Sequence, residues 1–363
     1  MINVYLKFPF RKTDSPYYKY LVEYPPKGVN YISEAKPGII HNPFFFSALN
    51  RVKKCGRKFL EFLKYPNVVS IKKSNKFDLV HCAHCLLKNK DIPWVVDFEH
   101  YWTLAASSKI AYSFRGRKII KKLLMSKNCK AILPWTNAAK NTLTGVIKEK
   151  EIEEKIHVVY PAIPPPRIKI KKPKGEINLL FVGRHFFGKG GHYFLEVVKR
   201  LKTKYDNING LLISYTIPQN LIKKYSKYVE IKRYASEKEL FGKIYPSSHI
   251  FLYPGFSDTF GFAFLEAMAY GLVIVTVDGF ARNEIVQDLQ NGFIVKKRPS
   301  HTKILEEPIV KDIYKKVEIL IEKRNLLRKM SLKNMRVIKQ GKFSLRERNK
   351  KLRTLFREFF YSF

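Results

Sequence analysis

Along this chain, short runs of β-branched and aromatic residues alternate with segments whose apolar positions recur every three or four residues. Met1 to Leu6 is strand-like. Phe77–His81, Trp94–Phe98, Lys130–Pro134 and Ile156–Tyr160 follow as strands, with helical segments between them. The proline-rich run from Pro161 to Pro166 and the basic stretch from Arg167 to Lys174 suit neither helices nor strand interiors, which predicts an interdomain linker. A second series opens with Ile177–Val182 and continues through Gly210–Ser214, Val229–Lys232 and Ile250–Tyr253. Helices are expected at His192–Lys202, Leu221–Tyr225 and Glu237–Tyr245, and over most of the chain beyond Lys311. Alternation of this kind predicts α/β domains with parallel sheets, and 363 residues suffice for two separate cores.

The most informative segment runs from Ser257 to Val295. A polar turn (Ser257-Asp258-Thr259) leads into apolar residues that contain a single acid, Glu266. Gly271 then breaks the run before the β-branched stretch Val273–Val277. The order reads as loop, buried helix, tight turn and buried parallel strand. An ionised group in a buried helix is costly unless it is paired, so Glu266 calls for a partner. A carboxylate there can grip two vicinal hydroxyls, and the helix N-terminal amides just upstream can hold a phosphate. The near-apolar span from Phe260 to Val277 approaches transmembrane length, but Gly271 divides it and Glu266 would sit near mid-span, so no membrane crossing is expected.

Upstream, Phe181-Val182-Gly183-Arg184 ends a strand, and Gly188-Lys189-Gly190-Gly191 leads into a helix. Glycines allow close backbone approach, while Arg184 and Lys189 can neutralise a diphosphate. The Gly-x-Gly-x-x-Gly fingerprint of dinucleotide binders is absent.

Asp258, seven intervening residues and then Glu266, in the setting FGFAFLEAMAYG, resembles the acidic-pair motif of glycosyltransferase family 4. Glu284-Ile285-Val286 and Asn291-Gly292-Phe293 downstream fit that family, and the Arg184/Lys189 loop is similar to its "GR…KG" element. The first acid of the family motif is usually Glu; here it is Asp258, one methylene shorter. The resemblance implies a retaining hexosyltransferase of the GT-B fold: two Rossmann-like domains facing across a cleft, with a C-terminal helix crossing back to the first. The expected boundaries are 1–163 for the acceptor domain, 164–340 for the nucleotide-sugar donor domain and 341–363 for the returning helix. The co-substrate would be a nucleotide diphosphate sugar, with no cofactor and no metal. Arg184 and Lys189 would stabilise the departing diphosphate, Asp258 would hold the transferred sugar and Glu266 the ribose. Donor contacts are also implied for Gly183, for the backbone amides of Phe260, Gly261 and Phe262, and for Tyr234 or Ala235 beside the base. His100, or Glu99 one position earlier, would reach the sugar from the end of the Trp94–Phe98 strand. The family's glycine-rich acceptor loop is replaced by Phe8-Pro9-Phe10-Arg11-Lys12, and Glu284 reads as a helix brace.

Charge changes the picture at the surface. The chain carries 69 Lys and Arg against 30 Asp and Glu, a net +39. Such an excess attracts polyanions, although a bias toward Lys is partly compositional. Two basic amphipathic stretches, Arg51–Lys64 and Arg115–Lys130, lie in the expected acceptor domain and together favour peripheral contact with an anionic membrane surface. The expected acceptor is thus a glycan or lipid-linked glycan, handled in the cytoplasm or at the inner membrane face. Four scattered cysteines and the lack of a signal peptide at Met1 fit a reducing compartment. His81-Cys82-Ala83-His84-Cys85 looks like a metal cluster, but no second pair completes a tetrahedral set, so no metal is expected. The alternatives are a GT-B nucleotide-sugar epimerase, a glycogen-synthase-like enzyme, or a basic nucleic-acid-binding protein on a degenerate transferase fold. No RNP motif, zinc-finger spacing or recognition helix supports the last, and a nucleic-acid partner is not expected.

Overall fold

The computed structural model describes residues 1–8, 16–33, 58–256, 258–299 and 303–361. The chain divides into two units, Met1–Ala162 together with Leu345–Phe363, and Ile163–Ser344. Its strands are β1 (Ile2–Lys7), β2 (Val29–Ile32), β3 (Val68–Val69), β4 (Leu79–Ala83), β5 (Leu86–Leu87), β6 (Trp94–Phe98), β7 (Cys129–Pro134), β8 (Ile177–Val182), β9 (Ile208–Ile213), β10 (Glu230–Lys232), β11 (Ile250–Tyr253), β12 (Val273–Val277) and β13 (Gly292–Val295).

The first unit is built on a parallel sheet of order β2-β1-β4-β6-β7, with β3 and β5 as a separate parallel pair. Every side chain of β4 and β6 is buried, as expected for central strands covered on both faces. That burial includes two polar residues. His81 and Asp97 sit 3.1 Å apart, Tyr31 meets the other His81 nitrogen at 3.1 Å, and the Tyr18 hydroxyl donates to Asp97 at 2.6 Å. His81 is thus spent in a buried hydrogen-bond network, and among the described residues no group of three His, Cys, Asp or Glu could hold a metal ion. The last helix, Leu345–Tyr361, packs in this unit through buried Leu352 and Phe356. Its buried Arg348 donates to the carbonyls of Tyr20 and Tyr24 at 3.1 and 2.6 Å, joining the final helix to the end of the helix Pro16–Glu23.

The second unit carries a six-stranded sheet of order β10-β9-β8-β11-β12-β13, again fully parallel. β11 and β12 are buried throughout, which is why their sequences are apolar but for Thr276, whose hydroxyl donates to the Tyr253 carbonyl at 2.7 Å. Sheet order reverses between β8 and β11, so connections on either side lead away from each other and open a crevice beyond the carboxyl ends of those two strands.

Several expectations need correction. Ile156–Tyr160 is not a strand: one isolated bridge joins Ile156 to Ile132, and beyond it the amides of His157 and Val159 donate to β7 without forming a ladder. The helix expected at Glu237–Tyr245 contains a wide π turn at Leu240–Ile244. Sequence periodicity overlooked the helix Pro16–Glu23 and strands β2, β3, β5 and β13, which are short or follow glycine. Residues 157–176 hold neither helix nor strand. Within them, Lys172 is sunk into the second unit, donating to the Ser248 carbonyl, and burial pushes its pKa down to about 7. The basic stretch at Arg115 forms the helix Phe114–Leu124, whose apolar side (Ile120, Leu124) joins the core, so packing accounts for its amphipathicity. Residues 51–57 of the Arg51–Lys64 stretch, residues 9–12 of the Phe8–Lys12 loop, and Ser257 lie outside the described residues. Among the described residues no helix is long and apolar enough to cross a membrane.

Candidate functional site

The crevice between β8 and β11 is lined by two loops drawn tightly together. Gly190, at φ +78°, opens the helix Gly191–Lys202, and a Cβ there would lie 2.5 Å from the Pro254 carbonyl oxygen. Opposite it, a Cβ on Gly255 would come within 3.0 Å of the Lys189 backbone. The lack of a side chain at both positions allows this approach, and its result is chemical. Lys189, after β8, meets Asp258, after β11, in an ion pair whose side chains are 15% and 13% exposed.

A third charge lies behind the pair. Arg282, from the short helix Arg282–Ile285 after β12, is 2% exposed and reaches to 3.8 Å from Asp258 Oδ2. Its guanidinium donates to the Gly255 carbonyl at 2.9 Å and stands 4.1 Å from the centre of the Phe264 ring. Burial lowers its pKa, and Asp258 opposes that shift. Asp258 Oδ2 and Arg282 Nε are buried with no hydrogen-bond partner among the described residues. An ionised carboxylate oxygen left in that state is costly, so the crevice holds an acceptor suited to a donor from outside, such as a hydroxyl. Beside it, Tyr253 has its pKa pushed up by burial and by Asp258.

Arg184 is exposed at the end of β8. His185 next to it has its pKa lowered by burial, then by Lys189 and Arg184, so both cations act on the same space. Gly183 is buried, and a Cβ there would touch Lys189 Cβ at 3.0 Å. The loop after Asp258 passes through buried Phe260 and left-handed Gly261 into the helix Phe262–Ala269, whose N-terminus lies at the same end of the sheet.

One turn into that helix stands Glu266. The Tyr245 hydroxyl donates to its Oε2 at 3.0 Å, and Tyr245 stacks on Tyr270 with ring centres 5.5 Å apart. Desolvation in this aromatic setting raises the Glu266 pKa to about 7, partly offset by the Tyr245 bond and reinforced by Glu237. The partner that the sequence demanded is therefore a neutral phenol, which leaves one carboxylate oxygen for another donor.

Tyr234 and Ala235 lie in the loop after β10, with Tyr234 56% exposed. Glu99 and His100 belong to the first unit, at the end of β6. His100 caps the short helix Tyr101–Ala105, accepting from the Trp102 amide at 3.4 Å, and burial lowers its pKa. Glu284 sits on the same short helix as Arg282, its carbonyl taken by Lys342. The residues that sequence reasoning missed are Arg282, Tyr245 and Tyr253. Arg282 stands next to polar Asn283 and Glu284, so no local pattern marked it as buried.

Residues 164–334 match the model for the family described as glycosyl transferases group 1. An uncharacterised glycosyltransferase of Haemophilus influenzae is 25% identical over 255 residues, covering 68% of this chain; the chain thus spans only 65% of that relative's length. Among solved structures, a glycosyltransferase from Rickettsia africae superposes with a TM-score of 0.64 at 14% identity, over 99% of both chains. HepE from Anabaena, in complex with UDP-glucose, gives 0.61 at 11% identity over 99% of this chain and 100% of that one. The pneumococcal O-GlcNAc transferase GtfA, in complex with UDP and GlcNAc, gives 0.57 at 15% identity, covering 84% of this chain and 60% of its own. The fold is therefore GT-B, built of two Rossmann-like α/β units.

Proposed function

We propose that this chain is a glycosyltransferase of the group 1 type, moving a hexose from a nucleotide diphosphate sugar to a glycan or lipid-linked acceptor with retention of configuration. The observation that carries the reading is the Asp258 oxygen that has no hydrogen-bond donor among the described residues, between Lys189 and Arg282 at the point where the sheet order reverses. A sugar hydroxyl is the donor that such an oxygen accepts, and a diphosphate is the anion that Lys189 and Arg184 would hold.

In this reading Glu266 takes the ribose hydroxyls through the oxygen that Tyr245 leaves open. The amides of Phe260, Gly261 and Phe262 meet the sugar and the β-phosphate. Tyr234 and Ala235 flank the base, and UDP-bound relatives favour uridine. As the anomeric carbon–oxygen bond breaks, negative charge grows on the diphosphate, and preorganised cations lower that barrier without reorganising. Front-face attack accounts for retention: the acceptor oxygen bonds to the anomeric carbon on the side the diphosphate leaves. The acceptor proton passes to the departing phosphate oxygen. Arg184 and Lys189 supply the charge that a metal ion would otherwise bring. We assign the first unit, with Glu99 and His100, to the acceptor. Phe59, Phe62 and Phe114 stand exposed there among basic residues, which supports contact with a membrane surface.

The test is a thermal-shift screen over UDP- and GDP-sugars, followed by transfer of labelled sugar with and without membrane extract. A bound donor at a hundred times its Kd stabilises the native state by about 2.7 kcal/mol. If no nucleotide sugar raises Tm and no label moves or is hydrolysed, the reading fails.

A further inference from the structure

The last helix carries a feature that the proposed reaction does not use. Arg346, Lys350, Arg353 and Arg357 recur at intervals of four, three and four residues along Leu345–Tyr361 and so form one stripe. Across from the stripe, Lys27 stands on the loop that leads into β2. These side chains line two overlapping hollows, of about 390 and about 370 Å³, at the amino-terminal ends of β1 and β2. That is the edge of the sheet opposite the carboxyl ends where ligands of open parallel sheets bind.

No acidic residue lines either hollow. Glu347, 4.0 Å from Arg346, is on the same helix but about 100° around it from the stripe. Cations packed together in the second unit are treated differently. Arg200 is held by Glu196 and Glu307, and Lys204 by Glu318 and Glu322. In the stripe, Arg353 Nε is buried without a hydrogen-bond partner among the described residues. Like charges at these spacings repel, and a buried guanidinium nitrogen without an acceptor is costly. Both conditions are relieved by one kind of ligand, a compact multivalent oxyanion.

We propose that this cleft is a second anion site, binding a phosphate or diphosphate group through Arg353, Arg357, Lys350 and Lys27, separately from the crevice at β8 and β11. Guanidinium pairs suit phosphate because their planar forks bond two oxygens at once. The group can be carried by a soluble phosphate compound or by a phospholipid headgroup, and the two sources are separable.

The probe is inorganic pyrophosphate, titrated calorimetrically into the full chain carrying Arg184→Ala and Lys189→Ala, so that binding at the β8–β11 crevice does not contribute. Saturable binding is expected, weakened about tenfold for each arginine removed by Arg353→Ala or Arg357→Ala. Arg357 and Lys350 are exposed, so Lys350→Glu with Arg357→Glu gives a variant whose fold, checked by circular dichroism, is not at risk. In that variant the thermal shift from a nucleotide sugar should persist in an otherwise wild-type background, which keeps this site's failure distinct from failure of the proposed transferase. Co-sedimentation with phosphatidylglycerol vesicles, against phosphatidylcholine vesicles, identifies a headgroup as the source if it depends on the stripe. A response to pyrophosphate alone identifies a soluble ligand. If the stripe substitutions change neither pyrophosphate nor vesicle binding, the site does not exist.

Discussion

Replacing Glu266 by Gln should make the protein more stable at alkaline pH while removing donor binding. The carboxyl is pushed up to about 7 from an ordinary 4.5, first by desolvation. Once ionised, a group so shifted costs about 3 kcal/mol of folding stability. Below pH 4.5 it is protonated in both folded and unfolded chains, and the cost is absent. Between 4.5 and 7 the unfolded chain releases its proton first, so stability falls as pH rises. Above about 7 the loss is complete. Glutamine keeps the shape, and its carbonyl oxygen still accepts from Tyr245, yet it never ionises. For a unit the size of Ile163–Ser344, about 3 kcal/mol corresponds to about 6–12 °C in Tm. Thermal unfolding of wild type and E266Q, followed by circular dichroism from pH 4.5 to 8.5, should show curves that coincide at the acid end and separate through pH 7. Donor-induced stabilisation should vanish in E266Q, because with its oxygen taken by Tyr245 the amide turns an NH2 donor, not an acceptor, toward the ribose hydroxyls. A Tm gap independent of pH, or an E266Q protein less stable than wild type at pH 8, would refute the reasoning.

Other outcomes follow from the same geometry. Lys189→Met should lower kcat/KM for donor on the order of 10²–10³-fold in a labelled-sugar assay, the usual effect of losing a group that meets developing charge. Arg282→Met leaves Asp258 with one cation and frees the Gly255 carbonyl, so about 3 kcal/mol of stability should be lost in urea unfolding. Arg282→Lys should not restore it, because an ammonium cannot span the carbonyl, the carboxylate and the Phe264 face together. Arg348→Met removes two bonds to the carbonyls of Tyr20 and Tyr24, and should raise hydrogen exchange across residues 345–361 with a loss of about 2 kcal/mol.

The acidic motif and the basic loop were each legible in the sequence. So was the order helix, turn, strand from Phe262 to Val277, because Gly271 and the β-branched run mark their own conformations. Arg282 was not recognised, since nothing local distinguishes a buried arginine from an exposed one in a short helix. Tyr245 was hidden for another reason. It follows the π turn at Leu240–Ile244, and neither a hydrophobic period nor a capping signal reveals where such a turn points the next side chain. His81 is a different case, a polar residue whose partners come from distant parts of the chain. Its segment of five residues with four possible metal ligands has its first histidine engaged by Asp97 of adjacent β6 and by Tyr31 of β2, two strands away.

By itself the sequence determined the longer, strongly patterned strands and helices, and which residue types stand at their ends, because backbone conformation and one-sided burial are properties of a few adjacent residues. Tertiary structure alone decided that Lys189 and Asp258, 69 residues apart, form a pair, that Arg282 stands behind them, and that one oxygen of Asp258 has no hydrogen-bond donor among the described residues. The pairing depends on β8 lying beside β11, and on two glycines that let their loops touch. Strand order is set by how whole layers pack, and no local pattern encodes it.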